Sequence, residues 1–190
     1  ANLVRAWRLG RELRRWSEQR SIDGIRVQVV VGGGTMAMAV GTVTPQIFIG
    51  DDLLDILTGS ERAAVLWHEE HHRVTRAPVR AAALEAWLTL LGRWGPARKR
   101  LIDRLADLEQ LADEYAITRG SSAASLAGAL LKTEPTLLGA SFSYGAERRI
   151  HALVDTDLGH PPRARLPYEW LPLTAVFVMS VACHLWGLPT

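Results

Sequence analysis

Residues 58–72 read Thr-Gly-Ser-Glu-Arg-Ala-Ala-Val-Leu-Trp-His-Glu-Glu-His-His, and the reading of this stretch decides the fold. Thr58 and Glu61 stand at the spacing of a capping box, so a helix starts here. His68 and His72 follow on that helix, one turn apart on the same face, and both rings can reach one metal ion. Glu69, beside the first histidine, is placed to take the proton of an attacking water and return it to a leaving amine. Val65 shares the histidine face, while Ala63, Trp67 and Val74 line a second face. A helix apolar on two sides is a central, buried one. The pattern His68-Glu69-x-x-His72 predicts a zinc peptidase with one Zn2+ per chain.

Two histidines do not complete a catalytic zinc site, which takes three protein ligands and an open position. No further histidine follows His72 at the spacing that would supply the third. Downstream, Ala97 to Thr118 reads as a long helix with an apolar stripe of Leu101, Leu105, Leu108, Ala112 and Tyr115. Asp103, Asp107 and Glu114 fall opposite that stripe, where solvent is the expected neighbour. Glu109 and Asp113 sit together on its shoulder. Burying carboxylates there is costly unless a cation compensates. The pattern therefore predicts Glu109 as the third ligand, with Asp113 accepting a hydrogen bond from the second nitrogen of a ligand histidine. The alternative is a pair of partly exposed carboxylates matched with arginines; if Glu109 fails, Glu85 is the next carboxylate to test. His71 is turned about 100° from His72 on the helix and Glu70 points away from the metal side. His151, His160 and His184 stand isolated.

Outside this core the chain punctuates itself. Residues 3–18 predict a basic helix in which Leu3, Trp7, Leu13 and Trp16 are surrounded by Arg5, Arg8, Arg11, Arg14 and Arg15. It packs on the domain as a solvated helix or lies as a juxtamembrane helix on anionic lipid. A strand from Ile25 to Val31, Gly32-Gly33-Gly34, and a second strand from Thr35 to Val40 predict a hairpin. The glycines do not form a dinucleotide fingerprint, because a strand follows them and not a helix. Pro45-Gln46-Ile47-Phe48-Ile49 predicts a short strand whose proline favours a sheet edge, where an extended peptide could add itself as another strand. Short helices are expected at Asp51–Leu57, 81–94, 123–132 and 147–154.

Composition bounds the class. Of 190 residues 48% are hydrophobic and 22% charged, which excludes a disordered chain and is enough for a core without staples. Cys183 is the single cysteine, so no intrachain disulfide can form. The net charge of +2 rests mostly on arginine, with no nucleic-acid-binding motif beside it, so no nucleic-acid partner is expected. The absent N-terminal methionine suggests a processed form or a piece of a longer chain. Leu171 to Leu188 carries no formal charge and is just long enough to span the hydrocarbon core. Trp170 and Trp186 flank it, and Arg163 and Arg165 precede it, which places its N-terminal side in the cytoplasm. A buried terminal helix is the rival reading.

The sequence His68-Glu69-x-x-His72 with Glu109-x-x-x-Asp113 resembles the gluzincin membrane peptidases, and most closely the BlaR/MecR-type peptidases. The CAAX endopeptidases and the heat-shock membrane proteases look like cousins. The resemblance runs over roughly residues 25–155. It takes in Pro45-Gln46-Ile47-Phe48-Ile49, Leu53-Leu54, Glu61-Arg62-Ala63-Ala64-Val65-Leu66 and, late in the chain, Glu147-Arg148-Arg149-Ile150. It implies zinc, a protein substrate, and transmembrane helices flanking a cytoplasmic peptidase domain. It also implies that Arg149 stabilises the oxyanion, with Arg148 and Tyr144 as alternatives. The chain departs from the family at Arg73-Val74-Thr75-Arg76-Ala77, which lacks an acidic residue, and at Ser143-Tyr144-Gly145, where a histidine-proline pair is usual. No extracellular sensor domain is present within these 190 residues, so β-lactam sensing does not carry over.

The expectation is an α+β, predominantly helical, zincin-like domain with a small antiparallel sheet. Residues 1–20 form the basic helix, 21–160 the metallopeptidase domain, and 161–190 a linker and apolar segment that is transmembrane in the favoured reading. The protein is expected at the membrane with its peptidase domain facing the cytoplasm, cleaving a protein or peptide seated near residues 46–49. The alternative is a catalytically silent zinc-binding membrane scaffold.

Overall fold

An Asp23-Gly24 turn, with φ of 49° and 79°, folds β1 (Ser17–Ile22) back on β2 (Ile25–Val30), with Ile22 opposite Ile25. Two central residues at positive φ match the right-handed twist of the strands, which is why Asp-Gly serves here. The computed structural model describes residues 2–91, 93–133, 149–151 and 153–154, all within the unit Ala1–His160. Two further strands, β3 (Ala37–Val40) and β4 (Gln46–Gly50), complete one sheet in the order β1-β2-β4-β3. The helices are α1 (Asn2–Arg15), α2 (Asp51–Ile56), α3 (Gly59–Val74), α4 (Ala77–Leu91), α5 (Gly95–Thr118) and α6 (Ala123–Lys132). The described part is α+β and mostly helical, as expected.

The sheet corrects three expectations. Residues 35–40 do not pair with residues 25–31: β3 pairs antiparallel with β4, and β4 runs parallel to β2. The sheet is therefore mixed and not antiparallel. Nor is the strand at 46–49 an edge, because β4 is hydrogen-bonded to β2 on one side and β3 on the other. Ile47, Phe48 and Ile49 are all completely buried, the pattern of a central strand with both faces covered. Pro45 precedes the first ladder residue, so its missing N–H removes no bond from the sheet. A peptide therefore cannot add itself along residues 46–49.

Each face of the sheet has its own cover. Val27, Val29, Ile47 and Ile49 pack against Leu53, Leu57, Val65, Leu66 and Ala129, from α2, α3, α6 and the α2–α3 link. Val30, Met38, Val40 and Phe48 pack on the opposite side against Leu9 and Leu13 of α1. Helix α1 stops at Arg15, short of the expected residue 18, and Trp16 is 71% exposed. Ser17–Ile22, unread as a strand, is mostly exposed along its length, so it carries no alternation to read.

Helix α3 begins as the sequence predicts. The Thr58 hydroxyl accepts from the Glu61 backbone N–H, and the Glu61 carboxylate accepts from the Thr58 N–H at 2.7 Å. Lys132 Nζ donates to the same Glu61 oxygen at 2.7 Å, tying the end of α6 to the start of α3. Pro78 lies in the first turn of α4, where its missing N–H costs nothing. Pro96 does the same for α5, which starts at Gly95. Asp103, Asp107 and Glu114 are partly buried, contrary to the solvent-facing expectation, because α4 packs along α5 as well as α3. Among the described residues no helix is long and apolar enough to cross a membrane. The segment 171–188, Tyr144, Arg148, His160 and His184 lie outside the described residues.

Candidate metal centre

Helix α3 buries His68, Glu69 and His72 on the side that faces α5, where the apolar positions Leu105, Leu108, Ala112 and Ala116 bring Glu109 and Asp113 inward. All five polar residues are 7% exposed or less. Five ionisable side chains buried together are unfavourable unless they satisfy one another or hold an ion.

They converge on a point. The Nε2 atoms of His68 and His72 are 2.9 Å apart. A Glu109 oxygen is 3.4 Å from the first and the other Glu109 oxygen 3.5 Å from the second. One donor atom from each of the three residues lies within 4.8 Å of the others. A tetrahedral cation with bonds of about 2.0–2.2 Å holds neighbouring donors about 3.4 Å apart. The donor set therefore fits a small divalent ion in size as well as in chemistry, with two imidazoles and one carboxylate. His68, His72 and Glu109 can hold a metal ion.

The orientation of His68 has a visible cause. Its Nδ1 lies 2.9 Å from Asp113 Oδ1, so Nδ1–H donates and Nε2 is the nitrogen that faces the common point. His72 differs: its buried Nδ1 meets no acceptor among the described residues. Arg149 closes the far side. Its Nε and Nη2 donate to the two oxygens of Asp113 at 2.9 and 2.8 Å, and its Nη1 to Glu109 Oε2 at 3.2 Å. The acidic pair is buried, not partly exposed as the alternative reading had it, yet it is matched with an arginine. Glu109 and Asp113 face the histidines, and an arginine answers their remaining charge.

Charge follows geometry. Burial disfavours the Glu109 and Asp113 carboxylates, but the histidines and Arg149 outweigh it and hold both below the ordinary range. Burial also opposes a charge on His68, yet hydrogen bonds to Asp113 and Glu109 push it up to about 9. Arg149 is driven above its ordinary value against burial, chiefly by Asp113, with Glu109 and then Glu69 adding. The centre is an environment built for positive charge.

The neighbours sort themselves out. Glu70 leaves the site and pairs with Arg73 at 2.6 Å. His71 packs against Tyr115, ring centroids 5.2 Å apart, and its burial next to His72 pushes it down to about 4. His151 is exposed. Glu85 on α4 is not among the convergent donors. Sequence reasoning missed the three-way hold of Arg149, since nothing in the spacing of residues 109, 113 and 149 announces it. It also missed the stack in which the Arg119 guanidinium lies 4.9 Å from both the Trp67 and Tyr115 rings. No family model, curated protein or solved structure matches the chain.

Proposed function

We propose that this protein is a zinc metalloendopeptidase of the gluzincin type, with a zincin-like domain around α3 and α5. The observation that carries the reading is the convergence of His68 Nε2, His72 Nε2 and the Glu109 carboxylate, with Asp113 orienting His68 from behind. Zinc rather than calcium or magnesium suits two imidazoles and one carboxylate. When bound, the ion supplies a Lewis acid that acidifies water and polarises a scissile carbonyl.

The chain's own residues do the rest. Glu69, buried next to His68, accepts the proton of the attacking water and delivers it to the leaving amine. Asp113 keeps His68 in the tautomer that offers Nε2. Arg149 braces both carboxylates, and an oxyanion contact from it requires the guanidinium to release one of them. The strand at the sheet edge beside α3 is β3, so an extended peptide is proposed to lie along Ala37–Val40 and not along 46–49. Membrane association with the peptidase domain facing the cytoplasm remains part of this proposal, as does the BlaR/MecR-like kinship.

The test combines metal content with cleavage of an unstructured protein substrate. About one zinc per chain is expected, strongly reduced by Glu109→Ala. Glu69→Gln should keep the zinc and lose proteolysis by at least about a hundredfold, the scale of general-base catalysis. Retained activity in Glu69→Gln rejects the mechanism, and absence of zinc in the reconstituted protein rejects the reading altogether.

A further inference from the structure

The link between α4 and α5 carries a surface that the metal centre does not use. Leu90, Leu91 and Trp94 are 71%, 37% and 65% exposed, three large apolar side chains within five residues. Single exposed hydrophobics are ordinary, but three at one helical corner are not. Arg93, Arg98, Lys99 and Arg100 are exposed around them. From Ala86 to Ile102 the chain contains no acidic residue.

The charge placement runs against helix preference. A helix N-terminus favours carboxylates, yet α5 has no acid in its first turn and starts with three cations close behind Pro96. The helix end adds its own partial positive charge to theirs. An arrangement that is locally unfavourable becomes favourable when an extended anionic surface lies against it.

We propose that the α4–α5 corner docks on an anionic lipid bilayer. Leu90, Leu91 and Trp94 enter the boundary between headgroups and acyl chains, and the four cations meet lipid phosphates. Charge argues for this occupant over the others. A second copy would bring a like-charged cationic corner against the first in a two-fold contact. The uncharged segment 171–188 of the same chain would leave all four cations unanswered. Glu109 lies about 20 Å along α5 from this corner, so docking sets the height of the metal centre above the lipid. The inference does not rest on metal or on peptidase activity.

The experiment places an environment-sensitive fluorophore at Leu90→Cys in a Cys183→Ser background of the full chain. The protein is mixed with vesicles of phosphatidylcholine alone or with one-third phosphatidylglycerol. Expected is a blue shift with phosphatidylglycerol vesicles, quenching by brominated acyl chains, and loss of both at high salt. Changing Arg98, Lys99 and Arg100 together to Ser should weaken the label's response on the order of a hundredfold, about fivefold per cation. A label that stays in water while the protein sediments with vesicles overturns the proposal, since binding then runs through another part of the chain. A label already buried without lipid also overturns it, pointing to a second copy if the burial depends on concentration and to the chain's own segment if it does not. So does a response indifferent to salt and to the triple substitution.

Discussion

Asp113 reaches His68 across 45 positions of sequence, its Oδ1 2.9 Å from the imidazole Nδ1. The contact joins the two long helices of the site at their polar centre. It also decides which nitrogen of His68 faces the common point of His72 and Glu109. Removing the carboxylate frees the ring to turn or change tautomer. Asp113→Ala should therefore weaken metal affinity by about 10- to 100-fold. A competition titration against a chelating dye checks this, and an unchanged affinity means that His68 is held by something else.

Metal should stabilise the fold, because the donors converge only when α3 and α5 are packed together. At a free metal concentration of one hundred times Kd the gain is about 2.7 kcal/mol. For a chain of this size that is a rise of about 5–10 °C in Tm. Thermal unfolding with zinc and with chelator tests it. Equal midpoints at saturating metal speak against a site formed by folding.

The metal-free protein has its own pH dependence. His68 is raised from 6.5 to about 9 by Asp113 and Glu109 against the pull of burial. A raised folded value means that its proton contributes stability fully below pH 6.5, and that this is lost as pH climbs through about 9. Urea midpoints of the chelated protein should fall between pH 7 and 9.5, by up to about 3 kcal/mol in stability. With metal bound, no proton occupies Nε2 and the slope should flatten. A steeper slope in the loaded protein contradicts the assignment.

The acid side belongs to Glu61. Lys132 and the Thr58 cap hold its carboxylate down to about 2 from 4.5. Its contribution is therefore present above pH 4.5 and lost as pH falls toward 2. Glu61→Gln should cost about 1–2 kcal/mol at pH 7, with much less difference from wild type near pH 2. Denaturant unfolding of both proteins at the two pH values makes the comparison.

Two glycines should respond in opposite ways to alanine. A Cβ on Gly50 would collide with the Gly34 carbonyl oxygen, a backbone atom that cannot swing away. Gly59, at the first position of α3, has open space around its missing Cβ. Gly50→Ala should cost more than about 3 kcal/mol, whereas Gly59→Ala should be neutral or stabilising by up to about 1 kcal/mol. Chemical denaturation of the pair checks both signs.

The sequence by itself determined the features that repeat with a helical period or sit within one turn of each other. Thr58 and Glu61 marked the start of α3, His68 and His72 shared its face, and Glu109 and Asp113 stood on the shoulder of α5. These are local, because a helix's hydrogen bonds close within four residues and its geometry is known in advance. Only the tertiary structure decided where β4 sits, since a strand's neighbours are chosen by distant partners and two buried faces, not by its own spacing. The Asp23-Gly24 turn was a local signal that went unread because β1 has no buried face to show. Tertiary packing likewise brought Arg149 onto Asp113 and Glu109, joining residues 36 and 40 positions apart. An ion pair of that kind depends on where two distant helical segments meet, and no periodicity within either of them carries that information.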